Sequence, residues 1–216
     1  MTLGALLCIV DVPSCQRNDL HPAQLAGWCL EAGARTVILR ARVLDTPTLS
    51  SLLRSMYDLR ADGLLLIVAP GADASAAMPW ARWADGVHLA GHELAHALPT
   101  GRHAPWIVGR SAHLPEHHPP SPALVESLRY CTLSPVLAPS YAPDQASLGW
   151  PALADFCRTT PTPTYALGGL DGTHMALAHQ AGAAGLAIMG ALHHPDHQRV
   201  QAVVQQALSS TSERVH

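Results

Sequence analysis

The chain carries one pattern twice, as Glu31-Ala-Gly-Ala-Arg-Thr-Val-Ile-Leu-Arg-Ala41 and as Gln180-Ala-Gly-Ala-Ala-Gly-Leu-Ala-Ile-Met-Gly-Ala191. In both copies a helical stretch stops at a glycine, and an apolar stretch follows at once. Glycine adopts the left-handed conformation that ends many helices, and an unbroken apolar run is typical of a strand buried on both faces. Shorter copies occur at Ala61-Asp-Gly-Leu-Leu-Leu-Ile-Val68 and Ala84-Asp-Gly-Val-His-Leu89. The recurrence predicts a repeated helix–strand unit.

Extended along the whole chain, the pattern predicts eight strands, at residues 5–12, 36–42, 64–69, 86–90, 106–112, 130–136, 163–167 and 186–189. Helices are predicted between most of them, at residues 22–32, 47–59, 151–158, 173–180 and 196–208. Alternating buried strands and helices predict an α/β fold with a parallel sheet, and eight units of this length favour closure into a (β/α)₈ TIM barrel. The alternative is an open doubly wound sheet, but no GxGxxG stretch follows the first strand.

The length and composition are those of a compact globular protein. The 216 residues suit a single domain over residues 1–216, with 48% hydrophobic and 13% charged residues. No apolar run reaches membrane-spanning length, and no positive charge precedes the first apolar stretch as it would in a secretory signal. Five cysteines without CxxC spacing favour reduced thiols over a disulfide framework or a zinc site. We therefore expect a cytoplasmic protein without a membrane partner.

The charged residues narrow the range of functions further. A net charge of −3 without a basic block argues against nucleic acid as a partner. The chain has no lysine, and all 13 basic residues are arginine. This excludes Schiff-base chemistry by a lysine amine and a Walker-type phosphate loop. Whether identical chains assemble into a homo-oligomer stays open at this point.

In barrels of this kind the functional residues lie at the carboxyl ends of the strands. The candidates at those positions are Arg40, Arg42, His88, Arg110, Ser111, His113, Ser134, Gly168, Gly169, Met189 and Gly190. Glycines at the ends of the seventh and eighth strands free backbone N–H groups to converge on an anion, and such barrels often hold phosphate there. We therefore predict a phosphate corner at Gly168, Gly169, Met189 and Gly190. The alternative is that these glycines only form tight turns.

Arg40 is unusual because it lies inside an apolar strand, where its parity directs it into the barrel mouth. A buried charge needs a partner, and an anionic ligand would serve. An ion pair with an acidic side chain of a neighbouring strand end is an equally good explanation.

The stretch His92-Glu93-Leu94-Ala95-His96 matches the HExxH pattern of zinc hydrolases. Pro99 would break a helix one turn later, Arg102 occupies the place of the third histidine, and His103 comes one position late. A chance match in a chain with 14 histidines is the better interpretation. The histidines of residues 193–197 and 117–118 are expected to be solvated loop residues. No metal site is predicted.

Five motifs in order resemble the thiamine phosphate synthase and TenI-type thiazole tautomerase superfamily. They are Asp85-Gly-Val-His-Leu, Val108-Gly-Arg-Ser-Ala-His, Tyr130-Cys-Thr-Leu-Ser-Pro-Val-Leu with Leu148-Gly-Trp after it, Tyr165-Ala-Leu-Gly-Gly-Leu, and Ala181-Gly-Ala-Ala-Gly-Leu-Ala-Ile-Met-Gly. The chain is identified as a divergent member of this superfamily, whose fold is the same barrel. The resemblance implies a phosphorylated thiazole as ligand, with its phosphate at the glycine corner.

The synthase reaction implied by the resemblance needs residues that are missing here. It needs an Asn-Asp pair where Ala69-Pro70 stands, a glutamine at the position of Ile38, and a Thr-x-Thr-Lys loop where residues 139–142 read Pro-Ser-Tyr-Ala. Among the expected Mg²⁺ ligands, Glu93 still matches. A charged leaving group would be poorly stabilised without these groups, so we expect no synthase activity and no cofactor, Mg²⁺ included.

The tautomerase reaction needs only a positioned acid or base. The histidine that this branch carries near the position of Pro135 is missing, so His88 and His113 are the predicted catalytic residues. His88 has a structural alternative, a hydrogen-bonded position in the barrel wall. Arg40, Arg110, Ser111 and Ser134, with the glycine corner, are predicted to bind a phosphorylated small molecule. The competing hypothesis is a catalytically silent barrel that binds a phosphorylated metabolite or a partner protein.

Overall fold

The computed structural model describes residues 3–71, 79–91, 106–114, 121–139 and 142–212. The parallel strands in it are β1 Leu6–Asp11, β2 Thr36–Ala41, β3 Leu65–Pro70, β4 Gly86–Leu89, β5 Ile107–Ala112, β6 Tyr130–Leu133, β7 Thr164–Ala166 and β8 Gly185–Ile188. They pair in chain order, and β1 also pairs with β8, so the sheet closes into a barrel of eight strands. The predicted (β/α)₈ barrel is confirmed, and the open-sheet alternative is wrong.

Helices of the described residues surround the strands. They are α1 Val12–Arg17, α2 Pro22–Glu31, α3 Thr46–Ser55, α4 Tyr57–Ala61, α5 Pro122–Ser127, α6 Gly149–Thr159, α7 Met175–Gln180 and α8 His197–Ser212. The single helix predicted at residues 47–59 is in fact the pair α3 and α4, which meet at Met56. No helix of the described ranges is long and apolar enough to cross a membrane.

The sequence pattern does not predict α1 and α5, which have six residues each. Both follow a capping residue and carry a proline in the first two positions. The Asp11 side chain accepts from the Ser14 N–H, and the Ser121 side chain accepts from the Leu124 N–H. Such caps are start signals, but six residues are too few to show helical periodicity.

Side-chain alternation along the strands divides the core into two layers. The layer inside the barrel is formed by Leu7, Ile9, Ile38, Ile67, Ala69, Ile107, Tyr130, Tyr165 and Ala187. The layer between strands and helices contains the alternate residues, such as Leu6, Cys8 and Val10 of β1. The same alternation directs Asp11, Arg40, His88 and Ser111 to the inner face, at the carboxyl ends of their strands.

Candidate functional site

Three side chains on the neighbouring strands β4, β5 and β6 form a hydrogen-bonded row inside the barrel. His88 Nδ1 lies 3.0 Å from the hydroxyl of Tyr130, and His88 Nε2 lies 2.9 Å from Ser111 Oγ. Gly109 makes room for the tyrosine, because a Cβ at that position would lie 2.1 Å from Cζ of Tyr130. The structure thus brings the predicted site residues His88 and Ser111 into direct contact, and it adds Tyr130, which the sequence did not indicate, on the other side of His88.

The environment of His88 keeps its imidazole neutral. The residue is 6% exposed. Burial, with a smaller contribution from the positive charge of Arg42, lowers the pKa of His88 to about 3. His88 thus occupies a hydrogen-bonded position in the barrel wall, which is the structural alternative considered for it. At neutral pH its ring can accept or relay a proton only through Tyr130 and Ser111.

His113 and Ser134 form a second predicted pair at the mouth, after β5 and β6. The exposed ring of His113 places Nδ1 3.0 Å from the Ser134 carbonyl oxygen and 3.4 Å from Ser134 Oγ. Because a carbonyl only accepts, Nδ1 carries the proton when the ring is neutral, and Nε2 keeps its lone pair. His113 therefore presents a basic nitrogen whose tautomer is set by the end of β6.

Arg40 is paired with Asp11, the residue opposite it in the register of β1 and β2. Arg40 Nη1 lies 2.5 Å from Asp11 Oδ1, with 38% of the arginine side chain and 4% of the aspartate side chain exposed. Burial alone would raise the pKa of Asp11, but hydrogen bonds from Ser14 and Arg40 and the arginine charge outweigh it and lower the pKa. Arg40 therefore forms the ion pair with a neighbouring strand end, which was one of the two explanations that the sequence offered. The remaining N–H groups of Arg40 lie at the partly exposed mouth.

The predicted phosphate corner presents backbone donors. Within the described part of the chain, the N–H groups of Gly168, Gly169, Met189 and Gly190 donate to no acceptor. A Cβ placed on Gly190 would meet no atom within 4 Å, so the space on the side-chain side of this residue is open. Unpaired N–H groups at an accessible strand end are suited to bind an anion.

The two glycines after β7 also have a structural role. Gly168 and Gly169 have φ of +97° and +64°, which favour glycine. A Cβ on Gly168 would lie 2.7 Å from Cα of Pro135, and one on Gly169 would lie 2.5 Å from the carbonyl oxygen of Leu137. The tight-turn alternative therefore accounts for these glycines by itself, and Gly190 is the corner residue that packing leaves unexplained.

Arg110 lies apart from the other predicted residues. It shares the outer face of β5 with Val108 and Ala112, is 4% exposed, and donates to the carbonyl oxygen of Gly91. It also lines a cavity of about 300 Å³ on that outer side, beside Phe156. The structure brings Arg110 to neither the mouth nor the corner.

Thr132 is a polar residue of the inner face that no sequence motif indicated. It lies opposite Ser111 in the register of β5 and β6 and is 1% exposed. Its buried hydroxyl has no hydrogen-bond partner among the described residues. Such groups are rare in folded proteins and are usually satisfied by water or a ligand.

His193 was expected to be a solvated loop residue, and that expectation is wrong. The residue is 8% exposed. Its Nδ1 lies 2.8 Å from the carbonyl oxygen of Met189, and its Nε2 accepts the backbone N–H of Asp11 at 2.9 Å. Burial lowers the pKa of His193 despite the opposing contacts with Met189 and Asp11. The neutral ring thus ties the phosphate corner to the end of β1.

The HExxH stretch at residues 92–96, and with it Glu93, lies outside the described residues, as do His117 and His118. Among the residues that are described, no group of three or more His, Cys, Asp or Glu side chains is arranged to hold a metal ion.

Sequence comparison identifies the family. The family model described as thiamine monophosphate synthase matches residues 6–192. The chain belongs to this family. The match covers all eight strands and both glycine ends of the phosphate corner, so the resemblance drawn from the five motifs is confirmed.

A curated protein of the same description matches only part of the chain. A thiamine-phosphate synthase from Synechocystis is 32% identical over 110 residues, which are 50% of this chain and 32% of that protein. The match thus spans about a third of the relative's length.

Solved structures match over almost the whole chain. Thiamine phosphate pyrophosphorylase from Pyrococcus furiosus is 20% identical, with a TM-score of 0.71 and 98% of both chains covered. The protein of that name from Bacteroides thetaiotaomicron is 14% identical, with a TM-score of 0.62 and 100% of both chains covered. A geranylgeranylglyceryl phosphate synthase from Thermoplasma acidophilum is also 14% identical, with a TM-score of 0.63 and coverages of 98% and 94%. At these identities the likeness establishes the barrel fold.

Proposed function

We propose that this barrel binds a phosphorylated thiazole, or a related heterocyclic phosphate of thiamine metabolism, and shifts a proton on its ring. The observation that carries the proposal is the set of backbone N–H groups at Gly168, Gly169, Met189 and Gly190, which have no acceptor in the described chain. Together with the open space beside Gly190 they suit a phosphate group.

The rest of the ligand would then lie in the barrel mouth between the corner and the ends of β4 to β6. Ser111, His113 and Ser134 are polar groups of that wall, and the unpartnered hydroxyl of Thr132 is buried beneath them. Arg40 adds guanidinium donors, although Asp11 neutralises much of its charge. A small heterocycle with one or two polar atoms fits such a lining better than a second charged substrate.

His113 is the proposed acid/base residue. Its Nδ1–H is held by the Ser134 carbonyl, which leaves Nε2 free to take a proton from the ring carbon and return it elsewhere. Tautomerisation needs no leaving group and therefore no Mg²⁺. His88 is buried and neutral, so we assign it a positioning role.

Thiamine phosphate synthase activity is the second candidate, favoured by the family match over residues 6–192. It would join a pyrimidine pyrophosphate to the thiazole phosphate. The apolar Ala69 and Pro70 stand where the resemblance implies an Asn-Asp pair, and both are buried. The third candidate is a silent barrel that binds the phosphate without turnover.

Isothermal titration with the thiazole phosphate carboxylate and with thiamine phosphate tests the binding. Gly190→Asp adds a carboxylate in the open space of the corner, and we expect it to weaken binding at least about tenfold. Gly4→Asp is the matched control, because a Cβ on Gly4 also meets no atom within 4 Å and lies before β1, at the opposite end of the barrel. Equal affinities of the two variants, or no binding by the wild type at millimolar ligand, would exclude the proposal.

Turnover separates the three candidates. Incubation of the thiazole phosphate in deuterated buffer, followed by NMR, detects proton exchange on the ring. Exchange that is lost in His113→Gln supports the tautomerase. Formation of thiamine phosphate from both substrates with Mg²⁺ supports the synthase instead, and binding without either reaction supports the silent barrel.

A further inference from the structure

The row formed by Tyr130, His88 and Ser111 has a fixed direction. Tyr130 is 0% exposed, and the described residues offer its hydroxyl one partner, His88 Nδ1 at 3.0 Å. An O–H group with a single partner donates to it, since the opposite arrangement would leave a buried donor without an acceptor. Burial also raises the pKa of Tyr130 well above its usual value, so the proton stays on the phenol.

The next link follows from the two nitrogens of a neutral imidazole. When Nδ1 accepts from Tyr130, the ring proton must sit on Nε2. Nε2–H then donates to Ser111 Oγ, 2.9 Å away. The low pKa of His88 keeps the ring neutral, so the direction does not change near neutral pH.

Ser111 is the end of the row. Its oxygen accepts from His88, and its own hydrogen has no acceptor among the described residues. The side chain is half-buried and lies on the inner face of β5, near the carboxyl end of the barrel. The hydroxyl hydrogen is therefore available to an acceptor in the mouth.

We propose that Tyr130 and His88 are positioning residues that occupy one lone pair of Ser111 and leave its hydroxyl hydrogen to the ligand, so that the site favours ligands with an acceptor atom at that point. This proposal rests on the proposed function for the location of the ligand. The acceptor would be the lone pair of an unprotonated ring nitrogen or a carboxylate oxygen. A ligand that presents an N–H or O–H group at this point would have only the second lone pair of Ser111 Oγ to donate to, so an acceptor atom is the better match.

Packing between β5 and β6 holds the Tyr130 side chain in place. Gly109 lies opposite Tyr130 in the strand register, and any larger residue there would displace the phenol. Tyr165 packs edge-on against the Tyr130 ring, with ring centroids 5.9 Å apart. The tyrosine is thus held by packing on two sides, which keeps its hydroxyl aimed at His88.

The direct test is ¹⁵N NMR of the His88 ring in the full-length, ligand-free protein. We expect the tautomer with the proton on Nε2. In Tyr130→Phe the ring loses its donor, Ser111 can then either donate to Nε2 or accept from it, and both tautomers are expected. Tyr165→Phe is the matched control: its hydroxyl donates to the Gly4 carbonyl at 2.8 Å, so removing it should leave the His88 tautomer unchanged.

A proton on Nδ1 in the wild type would overturn the proposal, and an unchanged pure tautomer in Tyr130→Phe would overturn the role of Tyr130. These readouts need no ligand, so they hold even if the thiazole phosphate does not bind. If it binds, Ser111→Ala should weaken it about five- to tenfold. Tyr165→Phe should not change the affinity, and an unchanged affinity of Ser111→Ala would show that the hydroxyl does not face the ligand.

Discussion

A change of pH tests the buried state of His88 directly. The pKa of this residue is about 3 in the fold, against 6.5 for an ordinary histidine. Between these two values the unfolded chain binds a proton that the folded chain does not bind. The free energy of unfolding therefore falls as the pH falls from 6.5 towards 3 and is unaffected above 6.5. Going from about pH 8 to about pH 5, we expect His88 alone to cost about 2 kcal/mol.

Urea unfolding of the wild type and of His88→Gln at both pH values isolates this contribution. Glutamine cannot titrate, whereas any loss of packing or hydrogen bonding shifts the variant's stability equally at both values. The quantity of interest is thus the difference between the two pH dependences. The wild type should lose about 2 kcal/mol more than the variant on acidification. If the two proteins lose the same free energy to within about 0.5 kcal/mol, His88 is not held neutral by burial.

Two further predictions concern stability. Gly168→Ala should lower the free energy of unfolding by about 2 kcal/mol or more, because its φ is +97° and the new Cβ would lie 2.7 Å from Pro135 Cα. Gly190→Ala, in open space, should change it by less than about 0.5 kcal/mol, and equal effects in thermal unfolding would contradict the assigned packing. Asp85→Asn should cost about 2 kcal/mol, because the carboxylate binds the Arg60 guanidinium at two atoms and is 10% exposed. An unchanged urea midpoint would refute that estimate.

Strands β2, β3, β4 and β8 were predictable because each is an apolar run at a glycine junction, and the repeat spacing then predicted the strands that lack such a junction. This signal is local, so it can be recognised without knowing which strands lie next to each other in the sheet. Parity along the strand predicted that Arg40 faces into the barrel, and the structure has it there beside Asp11. Because side chains alternate along a strand, Arg110 and its neighbour Ser111 must lie on opposite faces of β5, and the sequence alone would have shown that Arg110 faces outward.

The partners of these residues were not predictable, because they depend on the register between strands. Asp11 meets Arg40, and Tyr130 lies opposite Gly109, only because β1–β2 and β5–β6 pair in the observed register. A shift of one residue would turn each of these side chains to the other face. Barrel closure fixes all eight registers at once, and no single stretch of sequence encodes them. The sequence therefore indicates polar residues at the strand ends, while closure of the barrel decides which of them pair with one another, as Arg40 does with Asp11.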